Sequence, residues 1–255
     1  MSDALVQATA LDKGYGRIRV LRDVSLSISH GESHVVIGPN GAGKTTLFKV
    51  LTGELHADRG SVHFDGRDVT RMPAHRRIHL GFGRTFQVAK VFSRLSVQDN
   101  IRVALEARAR RLNPLKGVPK ALARTFADTT NQLLTDTGFE AQRDATAGTL
   151  AYGDRKRLEL AMVLALEPSV LFLDEPTAGM SAAERQATVR LLQAVRRQRG
   201  LAMLMTEHDM EVVFGLADRI SVLHHGQLIV SGAPAEIRRN ARVQEIYLGD
   251  GSEHA

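Results

Sequence analysis

The chain has 255 residues, of which 43% are hydrophobic and 24% charged, and it carries a net charge of +6. This length and composition are typical of one large globular domain, or of two closely joined subdomains, with a mostly aliphatic core. The sequence has no cysteine, which excludes a disulfide framework. Every apolar run is far shorter than the ~20 residues that span a bilayer. Met1 to Tyr15 lacks the pattern of a secretory signal.

Period-two alternation of apolar residues predicts a strand over Val20 to Ile28, and short apolar runs predict further strands. In chain order the predicted elements are strands 20–28 and 34–37, helix 45–51, strand 61–65, a polar helical stretch 88–148 broken near Asn113-Pro114 and at Gly138, helix 154–166, strand 170–173, helix 182–198, strand 201–206, and a hairpin of 220–223 with 228–230 around His225-Gly226.

Continuous apolar strands that alternate with helices predict an α/β fold whose parallel sheet is covered on both faces. The alternating N-terminal strands and the C-terminal hairpin indicate an added antiparallel β subdomain. The polar stretch between them is interpreted as an inserted α-helical subdomain at 88–155, and residues 233–255 as a C-terminal tail. Each motif described below occurs once, so we expect one nucleotide-binding module over 1–255.

A glycine-rich loop lies between the second predicted strand and the helix that follows. It reads Gly38-Pro39-Asn40-Gly41-Ala42-Gly43-Lys44-Thr45, followed by Thr46. Glycines at this spacing let backbone N–H groups point inward at phosphate oxygens, and the positive end of the following helix adds to the attraction. Lys44 can reach the β- and γ-phosphates, and the Thr45 hydroxyl can ligate Mg²⁺. The pattern predicts a phosphate-binding loop for ATP.

A second candidate group follows the buried strand Val170 to Leu173, which ends in Asp174 and Glu175. Carboxylates at the end of a parallel strand lie at the sheet edge where ligands bind in such folds. Asp174 is suited to hold Mg²⁺, and Glu175 to orient and deprotonate the attacking water. The alternative, that both acids only cap the next helix, would leave the phosphate loop without a metal partner.

Three further side chains are candidates because of their position. Gln87 opens the helical insert and can couple it to Mg²⁺ and water, while His208 follows a buried strand and can hydrogen-bond a γ-phosphate. Tyr15 can stack on adenine. Taken alone, a Gln or a His is normally a polar surface or core residue, and Tyr15 is equally compatible with an exposed turn aromatic.

In order and approximate spacing these motifs, together with Leu150-Ala151-Tyr152-Gly153-Asp154, resemble the ATP-binding-cassette (ABC) ATPases over essentially the whole chain. The resemblance implies a P-loop NTPase fold with a RecA-like parallel core. It also implies a dimer in which residues 150–154, the signature segment, face the ATP of the second protomer. Ala151, Tyr152 and Asp154 depart from the commonest signature, Leu-Ser-Gly-Gly-Gln, and Ser181 stands where the family usually has Asp.

Within the family, the segments 83–87, 150–153, 177–180, 207–210 and 245–249 look most similar to ATPases of branched-chain amino acid importers. A urea or short-amide importer and a lipopolysaccharide-extracting ATPase are the next resemblances. They imply two membrane permeases, a second ATPase subunit and, indirectly, an extracytoplasmic solute-binding protein, with this chain peripheral at the cytoplasmic face of the inner or plasma membrane.

The basic residues clustered between Arg102 and Arg124 have two interpretations, a solvated helical face or an anionic partner. A soluble family ATPase acting on nucleic acid is the alternative from another class, although such proteins typically carry two cassettes or long coiled-coil insertions. A P-loop kinase would leave residues 150–154 unexplained. We therefore expect an ATP-hydrolysing transport subunit with no nucleic-acid partner.

Overall fold

The computed structural model describes residues 4–112 and 122–249. The strands in these residues are β1 Ala4–Tyr15, β2 Ile18–Ser29, β3 Ser33–Ile37, β4 Arg59–Phe64, β5 Arg67–Asp68, β6 Phe82–Arg84, β7 Val170–Asp174, β8 Ala202–Thr206, β9 Arg219–His224 and β10 Gln227–Gly232. The helices are α1 Lys44–Thr52, α2 Ala74–Arg77, α3 Val97–Leu112, α4 Leu122–Thr137, α5 Tyr152–Leu164, α6 Ala182–Arg199, α7 Met210–Leu216, α8 Pro234–Arg239 and α9 Ala241–Gly249.

Four strands form an antiparallel sheet in the order β2-β1-β4-β5. Strand β1, which the sequence pattern did not predict, is central in it and pairs Ala8 with Leu26 of β2 and Val6 with Phe64 of β4. Its alternation of buried and exposed residues is irregular because the register with both neighbours shifts after Ala8 and Thr9. This interruption hides the period-two signal.

A six-stranded sheet, in the order β10-β9-β3-β8-β7-β6, forms the centre of the molecule. Strands β3, β6, β7, β8 and β9 run parallel, and β10 is antiparallel at the edge. In β3, Val35 and Ile37 pack into one apolar cluster and Val36 into the other, so both faces of the strand are buried. This confirms the predicted α/β fold with a covered parallel sheet and an added antiparallel sheet. The assignment of the C-terminal hairpin to that added sheet was wrong: β9 pairs in parallel with β3, so the hairpin extends the central sheet instead.

Helix α1 fills the space between the two sheets. Its buried residues Leu47, Phe48 and Leu51 belong to the cluster that also contains the inner face of the antiparallel sheet. The Phe48 ring meets Phe172 of β7 edge-on, with 6.0 Å between centroids. Because β3 leads directly into α1, the segment between them lies at the carboxyl edge of the parallel strands.

Helices α3, α4 and α5 pack against one another beside the parallel sheet. The prediction of helix from Val88 onward was wrong for residues 88–96, because α3 begins only at Val97. The buried Asn100 side chain accepts from the Phe92 N–H (2.8 Å) and donates to the Phe92 carbonyl (3.1 Å), using backbone groups that a helix would need. The predicted break at Asn113-Pro114 lies outside the described residues, whereas Gly138, with φ of 71°, follows the end of α4.

Within the tail at 233–255, the described residues form helices α8 and α9. Ile237 and Val243 are buried in the apolar cluster that contains one face of the parallel sheet. The tail is thus packed against the core at these two positions.

Candidate nucleotide-binding site

Two glycines shape the loop that follows β3, and both lie against backbone. A Cβ on Gly38 would come within 2.0 Å of the Leu223 carbonyl oxygen. Gly43 has φ of 107°, and a Cβ there would lie 2.9 Å from the Val20 carbonyl oxygen. The loop therefore packs against strands β9 and β2 at distances that exclude any side chain.

The turn between β9 and β10 is hydrogen-bonded to the loop and supports it. The Ala42 N–H donates to the Pro39 carbonyl (3.2 Å), and the Ala42 carbonyl accepts from the Gly226 N–H at 3.0 Å. The Gly226 carbonyl in turn accepts from the Arg22 N–H at 2.8 Å. The sequence predicted this hairpin but not its contact with the loop. Asn40 and Gly41 lie exposed at the tip of the loop.

Helix α1 begins at Lys44, and no side chain caps its first turn. The first N–H groups of a helix have no partner within it and carry the positive end of the helix dipole. Thr45 is exposed and Thr46 half-buried in this same turn. An anion at the loop would meet these N–H groups and hydroxyls, which is the arrangement that binds phosphate.

The Lys44 ammonium lies in the loop, where it donates to the Gly38 carbonyl at 2.5 Å and the Pro39 carbonyl at 3.0 Å. Burial lowers the pKa of Lys44, and the charges of Glu175 and Asp174 act in the opposite direction. The loop lysine and the two carboxylates are thus near enough for their charges to influence one another.

Asp174 is the last residue of β7 and pairs in register with Thr206, the last residue of β8. Both are buried, and the Thr206 hydroxyl donates to Asp174 Oδ1 at 2.7 Å. Glu175 follows with φ of 47°, an uncommon conformation for a residue with a side chain. Its N–H donates to the Thr206 carbonyl at 3.1 Å. Thr206 therefore fixes the position of both acids, a role that the sequence did not indicate.

Two cations beside the acids were also missed. The Arg84 guanidinium forms an ion pair with Glu54 and lies 4.0 Å from Asp174 Oδ2. The Lys156 ammonium, on α5, donates to the Glu175 carbonyl at 2.8 Å. Burial lowers the pKa of both cations, and the nearby carboxylates partly oppose this. No local motif marks such residues, because the fold brings them together from separate elements.

The three candidates predicted from their position are all exposed. Gln87 comes three residues after β6, the neighbour of β7, and His208 comes two residues after β8, so both lie on segments that leave the same sheet edge. Tyr15 ends β1 with 49% of its surface exposed, and the Lys13 ammonium lies 6.0 Å from its ring centroid. Their predicted roles toward ATP stay predictions.

The signature segment leads into helix α5. Leu150 is buried, Ala151 is the N-cap residue without a capping side chain, and Gly153 lies buried in the first turn. The Asp154 carboxylate pairs with Arg157 three residues later. The Tyr152 hydroxyl donates to the Gln87 carbonyl at 3.0 Å. The uncapped helix start at 151–153 could receive a phosphate of a second protomer.

Ser181, the residue that replaces the family's usual Asp, has a local role. Its hydroxyl accepts from the Glu184 N–H at 3.4 Å, and the Glu184 carboxylate accepts from the Ser181 N–H at 2.8 Å. This reciprocal pair is a capping box that starts helix α6.

The donor types around the loop are also suited to Mg²⁺, which prefers oxygen ligands and usually takes one or two carboxylates together with substrate phosphates. Thr45 offers a hydroxyl, Asp174 a carboxylate and Gln87 an amide oxygen. No group of three or more His, Cys, Asp or Glu that could hold a metal occurs in the described residues. Fold and loop together define a P-loop nucleotide-binding protein.

Comparison with known proteins agrees with this class. A family model described as ABC transporter matches residues 21–178, and one described as branched-chain amino acid ATP-binding cassette transporter matches residues 227–253. The lipopolysaccharide export system ATP-binding protein LptB of Acidithiobacillus ferridurans is 37% identical over 246 residues, which cover 96% of this chain and 97% of that protein.

Two further similarities span nearly the whole chain. The high-affinity branched-chain amino acid transport ATP-binding protein BraF of Pseudomonas aeruginosa is 32% identical over 98% of this chain and 100% of that protein. A solved ATP-binding cassette of an ABC transporter has a TM-score of 0.84 and 27% identity, covering 96% of this chain and 99% of that one. The chain belongs to the ABC transporter family, as one of its ATP-binding, ATP-hydrolysing subunits.

Across the described ranges 4–112 and 122–249, none of the helices has the length and apolar character needed to cross a membrane.

Proposed function

We propose that this chain is the ATPase subunit of an importer for branched-chain or related amino acids, peripheral at the cytoplasmic face of the membrane. ATP binding closes two such subunits, the helical subdomain at 88–155 moves the two permeases, and hydrolysis reopens the dimer. The solute, delivered by an extracytoplasmic binding protein, contacts the permeases rather than this chain. The hydrolytic part is supported by the strand pairing: β3, which leads into the loop, and β7, which ends at Asp174, both run parallel to β8, so the loop and the two acids follow the same sheet edge.

Hydrolysis is assigned to side chains with distinct tasks. Lys44 and the N–H groups at the start of α1 hold the β- and γ-phosphates. Glu175 accepts a proton from the attacking water, and His208 and Gln87 contact the γ-phosphate and the water. Tyr15 stacks on the adenine. Magnesium held by Thr45, Gln87 and Asp174 would neutralise charge on the phosphates.

The second half of each site is proposed to come from the partner protomer. Residues 150–154 would approach its γ-phosphate with the Gly153 N–H and the start of α5. Ala151 has no hydroxyl and Asp154 is paired with Arg157, so this contact rests on backbone. Ser181, occupied in its capping box, is less available for a contact across the dimer.

The assignment of import is supported by the C-terminal match at 227–253 and by the full-length similarity to BraF. The similarity to LptB, at 37% identity, favours a second candidate, an ATPase for lipopolysaccharide export. Three residues of the basic stretch, Arg102, Arg108 and Arg110, pair with Asp99, Glu167 and Glu106 respectively, which fits the interpretation of a solvated helical face.

Transport by the assembled complex tests the proposal. The chain is reconstituted in liposomes with permeases and a binding protein encoded beside it, and ATP-dependent uptake of leucine, isoleucine, valine, urea and acetamide is measured. We expect uptake of a branched-chain amino acid that is lost with Glu175→Gln. Uptake of urea or amide alone would overturn the amino-acid assignment. Assembly only with export components, and release of lipopolysaccharide to an acceptor, would establish the second candidate.

A further inference from the structure

Two side chains of helix α5 hold the loop that carries Gln87. The Tyr152 hydroxyl donates to the Gln87 carbonyl at 3.0 Å. About two turns further along the helix, Glu159 Oε2 accepts from the Phe86 N–H at 3.3 Å and Glu159 Oε1 accepts from the Lys90 N–H at 2.9 Å. Three hydrogen bonds therefore connect one helix to a five-residue loop, and all three use the loop's backbone.

Glu159 is buried, with only 4% of its surface exposed, which is unusual for a side chain that carries a carboxylate. Burial raises the pKa of Glu159, and the two backbone hydrogen bonds and the charges of Lys156 and Lys90 act against that rise. A buried carboxylate is stabilised only when both oxygens have partners. Here those partners are the N–H groups at the two ends of the loop. If the loop moved away from α5, the Glu159 carboxylate would lose both hydrogen bonds.

The same loop is also held from the side by aromatic contacts. The Lys90 ammonium lies 3.9 Å from the Phe86 ring centroid, and the Arg84 guanidinium carbon lies 5.1 Å from it. The Tyr152 ring faces Gly179, where a Cβ would lie 3.3 Å away. Tyr152 thus touches the Gln87 loop through its hydroxyl and the segment after Glu175 through its ring.

We propose that Tyr152 and Glu159 are positioning residues that fasten residues 86–90 to helix α5, so that Gln87 and the signature segment move as one body. Tyr152 stands where the commonest signature has a glycine, which has no side chain to make such a contact. In this chain the position of Gln87 at its own ATP is therefore set by the helix whose first turn serves the partner's ATP. The inference rests on the proposed roles of Gln87 and of residues 150–154.

The fastening can be measured without nucleotide, by hydrogen–deuterium exchange of peptides that cover 85–91. Tyr152→Phe keeps the ring and removes one hydrogen bond, and Glu159→Gln leaves one acceptor oxygen for two N–H donors. Losing a hydrogen bond worth about 1 kcal/mol raises the exchange rate of the loop about 5-fold. The matched control is Glu167→Gln, which removes an exposed carboxylate that pairs with Arg108 and should leave exchange at 85–91 unchanged.

A kinetic measurement then separates positioning from general stability. In the assembled transporter we expect both variants to keep the KM for ATP within about 2-fold and to lower kcat by about 5-fold or more. The fall in kcat of the double variant should not exceed the product of the two single falls. Unchanged exchange at 85–91 in both variants would overturn the fastening, whatever the activity. Faster exchange with unchanged kcat would show that the contact does not position Gln87, while the proposed ATPase function would stand.

Discussion

Thr206→Val removes the hydroxyl that joins the ends of β7 and β8 while keeping the side chain's shape. The hydroxyl donates to Asp174 Oδ1 at 2.7 Å, and Thr206 and Asp174 are only 1% and 7% exposed. A hydrogen bond to a charged group contributes about 1.5–3 kcal/mol, and the valine methyl leaves one carboxylate oxygen without this partner. We therefore expect the free energy of unfolding to fall by about 2 kcal/mol.

The assay is denaturant unfolding of Thr206→Val beside Thr206→Ser, which keeps the hydroxyl. In a domain of this size 2 kcal/mol corresponds to a fall in Tm of roughly 4–8 °C. If the lost hydrogen bond also raises the activation free energy of hydrolysis by about 1.4 kcal/mol, kcat falls about tenfold. Coupling is checked in an Asp174→Asn background, where the valine should cost less. Equal stability of the valine and serine variants would refute the reasoning.

Three further predictions concern the loop and the core. Lys44→Ala should abolish tight ATP binding measured by calorimetry, while Lys49→Ala at the far end of α1 should not; unchanged affinity in the first variant would contradict the phosphate loop. Arg77→Met should lower the free energy of unfolding by about 3 kcal/mol or more, because five hydrogen bonds to backbone carbonyls, two of them at the end of α1, are lost; a loss below about 1 kcal/mol would show that water replaces them. Stability should fall by about 2 kcal/mol between pH 7 and pH 5 because burial lowers the pKa of His34 to about 4; His34→Gln should flatten that profile between pH 6.5 and 4, and an equally steep profile would assign the loss elsewhere.

The sign of the His34 effect follows from its partners. Nδ1 lies 3.2 Å from the Ser27 carbonyl oxygen and Nε2 lies 2.8 Å from the Ser221 hydroxyl. In the neutral ring Nδ1–H donates to the carbonyl and Nε2 accepts from the hydroxyl. A folded-state pKa below the unfolded value of 6.5 means that the unfolded chain binds the proton more readily. The stabilisation is therefore complete above pH 6.5 and is lost as the pH falls toward 4.

The parts of the site that a local pattern encodes were predicted from sequence. The loop 38–46 and the acids 174 and 175 each combine an apolar strand with a fixed set of residues directly after it, and the fold brings both to one edge. The parallel sheet was predicted because both faces of its strands are buried, which leaves uninterrupted apolar runs.

Features that depend on tertiary contacts were missed. Thr206, Arg84 and Lys156 act through partners distant in sequence, and nothing in their own neighbourhoods distinguishes them from ordinary polar residues. Residues 88–96 were predicted to be helical, yet the Asn100 side chain fixes the backbone of Phe92 in another conformation. Strand β1 escaped detection because its register shifts interrupt the alternation.

The central claim, that Glu175 activates water beside a phosphate loop, is tested most directly by Glu175→Gln. The substitution keeps the size of the side chain and removes its basic oxygen. ATP affinity and single-turnover hydrolysis are measured on the same preparation. We predict unchanged affinity with hydrolysis reduced at least ~10³-fold, about 4 kcal/mol of barrier. Hydrolysis within about 10-fold of the unaltered protein would contradict the account.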